Sequence, residues 1–421
     1  MLSILKRRKS NRQISKDAYY TAGQFALIRS RFRQKTSGII AGWILITMIL
    51  AGFFAPFFSP CDPSINGADT NYRRGAPQAV RFWDENGFSF RPFTYTYVKQ
   101  QQTLDLSALA GDLSALDQLT NSAALTSSGQ NQYTVDKNQR RYLTFFAKGW
   151  TYTLLNLEPI GIPFKLTWDR HFIGTGTVAG DHVAGTGTLH LAGTDESGKD
   201  VLSRTLHAIW ITLSIAVVAL IVKLFTSLVI GGISGYFGGK VDAVLMSFTE
   251  AVRVIPAIPV YLACAVALSG LDLTPVQRYF AIAVIIGALD FAALGRRLRT
   301  YILTERNQDY VTAARLCGSS PWRIIRKHLI PGFASYIIVD TMINFPYVIL
   351  AETSLSFLGL GLTEPINSLG VLLQKAQDPD IQQNMLWQFF PVVVFVALIL
   401  AFVFVGDALR DAADPYSEKK S

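Results

Sequence analysis

Charge is what this sequence is short of: Asp, Glu, Lys and Arg supply 16% of its 421 residues and hydrophobic types 50%, where soluble domains carry about a quarter charged. With a mean hydropathy of +0.28, that shortage excludes a disordered chain or a nucleic-acid coat and points to a membrane. Cysteine is scarce too. Cys61, Cys264 and Cys317 are odd in number, far apart and without CxxC spacing, so neither a disulfide framework nor a metal or redox frame is expected. The five histidines are scattered, with only His182 and His190 close together, and no metal ligands are expected among them. The phosphate-loop pattern GxxxxGK followed by Ser or Thr is missing, so no nucleotide-binding loop of that kind is expected in this chain. No cleavable signal peptide is expected, because the first apolar run begins near Gly38 behind a basic leader.

What is present is a set of six apolar runs, at 38–58, 208–234, 244–268, 276–294, 333–357 and 387–405. Each approaches the about 20 residues that span about 30 Å of hydrocarbon. The fifth is interrupted by Asp340, Asn344, Pro346 and Glu352, groups tolerated in a membrane only toward protein or water. Asp340, Asn344 and Glu352 share one helix face and are candidates to line a translocation path. Glu352 reads equally as a buried carboxylate anchoring Asn or Ser neighbours. Pro256 and Pro259 in the third run read either as a gating kink or as ordinary membrane prolines. Lys and Arg crowd residues 1–37 and 295–332, which places both segments and both termini on the cytoplasmic side and explains the net charge of +9 without nucleic acid.

The organisation expected is a cytoplasmic basic leader (1–37), a first span (38–58), an extracytoplasmic insertion (59–207), a core of five further spans (208–410) holding a cytoplasmic loop (295–332), and a cytoplasmic tail (411–421). Within the insertion, alternation over 91–97 reads as strand and 104–125 as one or two short helices, which makes it mixed α/β. The Gly/Thr-rich stretch 174–193 reads as loop. Asp195, Asp200 and Arg204 read as capping and ion pairing at the membrane entrance rather than as a catalytic set.

The informative stretch is 307–331. Tyr310 to Leu316 favours a short helix, Gly318 stops it, and Ser320 caps a second helix with Pro321 at its first position. The result is a helix-turn-helix elbow at the membrane surface, where Ala313 and Ala314 let a partner approach closely. Here the chain resembles the inner-membrane permeases of bacterial ABC importers, whose loop reads EAA, three residues, G, nine residues, I, one residue, LP. Thr312, Ala313, Ala314, Gly318, His328 and Pro331 keep that spacing, with Thr312 in place of the glutamate and His328 in place of the isoleucine. Residues 190–204, HLAGTDESGKDVLSR, and 55–63, APFFSPCDP, are similar to signatures of the dipeptide and oligopeptide branch. Stretches 235–242, 351–361 and 406–415 look like further signatures of its C-type subunit.

The resemblance implies an all-α polytopic protein with six transmembrane helices of the type I ABC importer fold, in the bacterial inner membrane, moving peptides or peptide-like solutes. It implies a second homologous permease subunit, two ABC ATPases that bind the elbow loops and hold ATP and Mg, and an extracytoplasmic solute-binding protein. It implies no cofactor or chemistry in this chain. Nickel complexes, glutathione and peptide antibiotics remain alternative cargoes. A membrane-anchored enzyme is the alternative of another class, but His171, His182, His190 and His207 stand in no GxSxG or HExxH frame. A stand-alone secondary transporter would show internal repeats, and none is evident.

Overall fold

Each apolar run becomes helix in the computed structural model, which describes residues 24–64, 69, 72–85, 87–99, 133–156, 165–175 and 189–413. Helices α1 (Gln24–Phe32), α2 (Thr36–Phe53) and the short α3 (Ala55–Phe58) come first. Helix α4 (Val201–Phe237) is longer than the apolar run that announces it, because Asp200 caps it and accepts the Ser203 amide at 2.7 Å.

The third and fourth runs are not straight. The third divides into α5 (Gly239–Val254) and α6 (Ala257–Ser269), bent by 85°. Pro256 supplies no amide and holds Ile255 extended, so the helix ends there. The fourth divides into α7 (Pro275–Leu289) and α8 (Ala292–Glu305), bent by 44° with Asp290 at the break. There follow α9 (Asp309–Leu316), α10 (Pro321–Ile324), a π-turn (Ile325–Leu329), α11 (Ile330–Phe357), α12 (Leu369–Lys375), α13 (Pro379–Asn384) and α14 (Phe390–Ala413). Among the described residues four helices are long and apolar enough to cross a membrane, or six if each bent pair is one crossing.

Helix α4 is the axis against which α2, α7, α8 and α11 pack. It approaches α7 and α8 backbone to backbone: a Cβ on Gly287 would lie 2.2 Å from the Ala219 carbonyl oxygen, and one on Gly231 2.4 Å from that of Gly295. Small residues permit such contact, which is how helices associate where no hydrophobic effect drives them together. Ile215, Ile282, Ile286, Ile349 and Leu398 fill the space around it.

Between α3 and α4 lies an antiparallel meander of β1 (Arg81–Asp84), β2 (Gly87–Lys99), β3 (Tyr133–Asn156) and β4 (Lys165–Thr175), paired in chain order. Phe93 lies opposite Tyr142, and Lys148 opposite Arg170. The sheet hooks onto the end of the first span. His171 lies 2.9 Å from the carbonyls of both Pro56 and Trp150, while Phe57 and Phe58 pack on Phe146 and Phe172. The helices expected at 104–125, and most of the Gly/Thr-rich stretch, lie outside the described residues.

Candidate coupling elbow and polar path

The elbow forms because its signals are local. Helix α9 ends where Gly318 turns left-handed at φ +77°, and Ser319 and Gly318 donate their amides to the carbonyls of Ala314 (3.1 Å) and Arg315 (3.0 Å). Ser320 then caps α10 through the Arg323 amide, with Pro321 opening the helix. On the underside, Val311, Ile324, Ile325 and Leu329 are buried against Leu294, Leu298 and Ile302 of α8. The outer side carries Thr312, Ala313, Gly318, His328 and Pro331 exposed and Ala314 half-buried.

Two residues the sequence reading passed over dominate that outer side: Leu316 is 85% exposed and Trp322 56%. Their signal was apolar bulk placed off the buried helix face. Arg315, Arg323, Arg326 and Lys327 are exposed on the same elbow. The tip thus presents apolar surface ringed by cations. The elbow is tied to the membrane helices. The Arg315 guanidinium lies 5.5 Å from the Tyr236 ring centre, and just before the elbow Arg306 donates to the carbonyls of Gly235 (3.2 Å) and Tyr236 (3.1 Å), while Arg299 of α8 pairs with Asp242 of α5.

The second group lies among the helix breaks. Asp340 is ion-paired to Arg297, and Asn344 donates to it at 3.0 Å. Arg297 also donates to the Tyr336 hydroxyl at 2.8 Å, and Lys223 pairs with Asp290 at 2.5 Å. Asp340 and Asn344 thus come together as expected. Glu352 does not join them. It is 1% exposed, accepts from Ser356 Oγ at 2.8 Å, and through Ser356 anchors the Leu362 amide; the anchoring alternative describes it, because its helix turn faces its own loop. Asp340 is itself buried, and Arg297 carries the charge that reaches open space, its side chain 49% exposed. Lys223 and Asp290 escaped the sequence reading, although a single lysine inside an apolar run demands a partner, and Arg297 was read only as a cation of the cytoplasmic loop.

The third group closes the opposite end of α4. Arg204, 1% exposed, donates to Asp195 (2.5 Å), Glu364 (2.6 Å) and Asn367 (3.0 Å). Glu364 also receives Lys199 at 3.1 Å and Lys375 at 2.5 Å. Burial by itself raises the Glu364 pKa, but Lys375, Arg204 and Lys199 outweigh it and hold the carboxyl at about 2. Asp195, Asp200 and Arg204 are therefore a capping and ion-pairing set, not a catalytic one. Beside them a cleft of about 350 Å³ is lined by Asp195, Glu196, Gln374, Lys375, Asp378 and Gln388.

The family described as binding-protein-dependent transport system inner membrane component matches residues 227–418, and the N-terminal TM domain of oligopeptide transport permease C matches 23–77. The chain is 33% identical over 226 residues to the dipeptide transport system permease protein DppC of Lactococcus lactis, covering 54% of this chain and 64% of that protein, a little under two thirds of its length. It is 36% identical over 227 residues to the oligopeptide transport system permease protein OppC of Haemophilus influenzae, covering 54% of this chain and 70% of that one. For DppC of Bacillus subtilis the values are 34% over 228 residues, 54% and 68%. Among solved structures, a chain of the inward-facing MetNI methionine ABC transporter is similar at 19% identity and a TM-score of 0.37, over 49% of this chain and 95% of its own, a likeness too slight to bear on the fold.

Proposed function

We propose, for a chain that belongs to the family of binding-protein-dependent transport system inner membrane components, that it is one of two unlike permease subunits of a bacterial ABC importer for peptides or peptide-like solutes. It lies in the inner membrane with six crossings, each bent pair counted once, and with both termini in the cytoplasm. The insertion 59–207 faces outward. The cations of the elbow support that orientation, since short basic loops stay in the cytoplasm.

The observation that carries this reading is the elbow: a rigid knob with a buried floor, an apolar tip at Leu316 and Trp322, and a glycine turn open to a partner. Thr312, Ala313, Ala314, Gly318, His328 and Pro331 lie on or beside it. Two ATPase subunits hold ATP and Mg, seat one elbow from each permease subunit, and drive the elbow as they close. Because the elbow is bonded to α4 and α8, its displacement rocks those helices and biases an inward-facing or outward-facing state. The path passes Asp340 and Asn344, with Arg297 its exposed charge, while Glu352 braces the outer end of α11. An external solute-binding protein delivers cargo to the outer face.

A photo-crosslinking residue at Leu316 or Trp322, in membranes carrying the whole importer, should capture an ATP-binding-cassette subunit, and one at Phe90 should not. Capture of such a subunit from Phe90 alone would overturn both the docking role and the orientation.

A further inference from the structure

Where the first span ends, three segments distant in the chain converge. Cys61 follows α3, His190 opens the loop before α4, and Asp200 caps α4. The Cys61 sulfur lies 3.9 Å from His190 Nδ1, which lies 3.1 Å from Asp200 Oδ1, and all three donor atoms fall within 4.8 Å of one another. Donors on a tetrahedral zinc, bound at about 2.3 Å through sulfur and about 2.0 Å through nitrogen or oxygen, stand about 3.3–3.6 Å apart. Closing on an ion therefore shortens the sulfur–nitrogen edge from 3.9 Å to about 3.6 Å, lengthens the nitrogen–oxygen edge from 3.1 Å to about 3.3 Å, and draws the sulfur–oxygen edge, now within 4.8 Å, to about 3.6 Å.

Two further features bear on how these donors are held. All three side chains are buried, at 8%, 0% and 0% exposure, so the donors are fixed by packing. The other imidazole nitrogen, His190 Nε2, is buried without a hydrogen-bond partner, and the Asp69 carboxylate stands 3.7 Å from it. An outer carboxylate behind a histidine is the arrangement that orients and strengthens a metal-bound imidazole. The second Asp200 oxygen already accepts the Ser203 amide at 2.7 Å, which fixes the carboxylate.

We propose that Cys61, His190 and Asp200 form a site for a divalent cation of the zinc class. A sulfur, nitrogen and oxygen set suits zinc and disfavours magnesium and calcium, which take oxygen ligands. On binding, the thiol gives up its proton, Nδ1 offers its lone pair in place of its hydrogen bond, and the carboxylate stays ionised, so two ligand charges meet the dication. A water or the Leu189 carbonyl, 3.8 Å from the sulfur, completes the fourth position. The ion clamps the end of the first span to the start of α4, closing the two ends of the insertion against each other. This does not depend on what the chain transports.

The test uses the full chain in detergent micelles, stripped with chelator and titrated with zinc(II) or cobalt(II) alone. One zinc per chain should survive gel filtration, and cobalt should give a thiolate charge-transfer absorption. Cys61→Ser and Asp200→Asn should each weaken retention at least about tenfold, and Cys61→Ser should remove the cobalt band, with elution volume unchanged to show an intact fold. Cys264→Ser and Cys317→Ser should keep both signals. The site is refuted if the wild-type chain holds no zinc above background, or if Cys61→Ser keeps the metal and the band.

Discussion

Replacing Gly318 with arginine separates the folding of the elbow from its docking. At φ +77° an L-residue costs about 1–2 kcal/mol. No atom of the chain lies within 4 Å of the new Cβ, so no clash is added. Against this stands the floor of the elbow: Val311, Ile324, Ile325 and Leu329 are each 2% exposed or less, and at about 1.5–3 kcal/mol per buried side chain they contribute about 6–12 kcal/mol. The elbow therefore stays folded, and the thermal midpoint falls by no more than about 8 °C. The guanidinium, however, projects into the space a partner groove must occupy, where a clash and an unpaired charge oppose seating. In proteoliposomes holding the whole importer, ATP-driven peptide uptake should fall at least about tenfold, a loss of about 1.4 kcal/mol in coupling. Gly318→Asn, which tolerates the left-handed backbone and stays small, should keep most uptake. Wild-type uptake by Gly318→Arg would refute the docking role, and equal loss in both variants would trace the effect to the backbone instead.

Three further outcomes follow from the same geometry. With other cysteines removed, the exposed Cys317 should react with an impermeant thiol reagent only from the cytoplasmic side, and Phe90→Cys, at a position 92% exposed on the sheet, only from the outside; the reverse pattern would invert the topology. In the Lys223–Asp290 pair the lysine side chain is 3% exposed and the aspartate 39%. Asp290→Asn should then destabilise by about 3 kcal/mol and Lys223→Met by only about 1, measured as thermal unfolding in detergent, because only the first strands a buried charge. Glu364 is held at about 2, below its ordinary 4.5, so its stabilisation is complete above about 4.5 and fades as pH falls toward 2. Glu364→Gln should lower the midpoint at neutral pH and flatten its acid dependence in that window; an unchanged slope would remove Glu364 from the network.

The elbow was legible because its signals sit within a few residues of one another: Gly318 for the left-handed turn, Ser320 and Pro321 for the next cap. The apolar runs were legible because hydropathy is a running average. The same averaging hides direction: Pro256 read equally as a kink or as an ordinary membrane proline, and only the 85° bend at Ile255 and Pro256 decides for a break within the run. Pairings across distant segments were not legible. Lys223 finds Asp290, and Arg204 finds Glu364, only after α4 is packed. Glu352 was read from helix phase, which places a residue on a face but does not say that a loop through Ser356 covers it. Cys61 was set aside for lack of CxxC spacing and His190 for its scatter in the sequence, while Asp200 was read only as a cap; that the three lie together depends on how the end of the first span meets the start of α4.

The central claim is that this chain moves cargo only when partner ATPases work on its elbow. Its most direct test is uptake of a labelled peptide into proteoliposomes containing the chain, its second permease subunit, the two ATPases and the external binding protein. Uptake should require ATP on the elbow side and vanish when the ATPases carry a hydrolysis-blocking substitution. Peptide accumulation that persists without the ATPases would contradict the account.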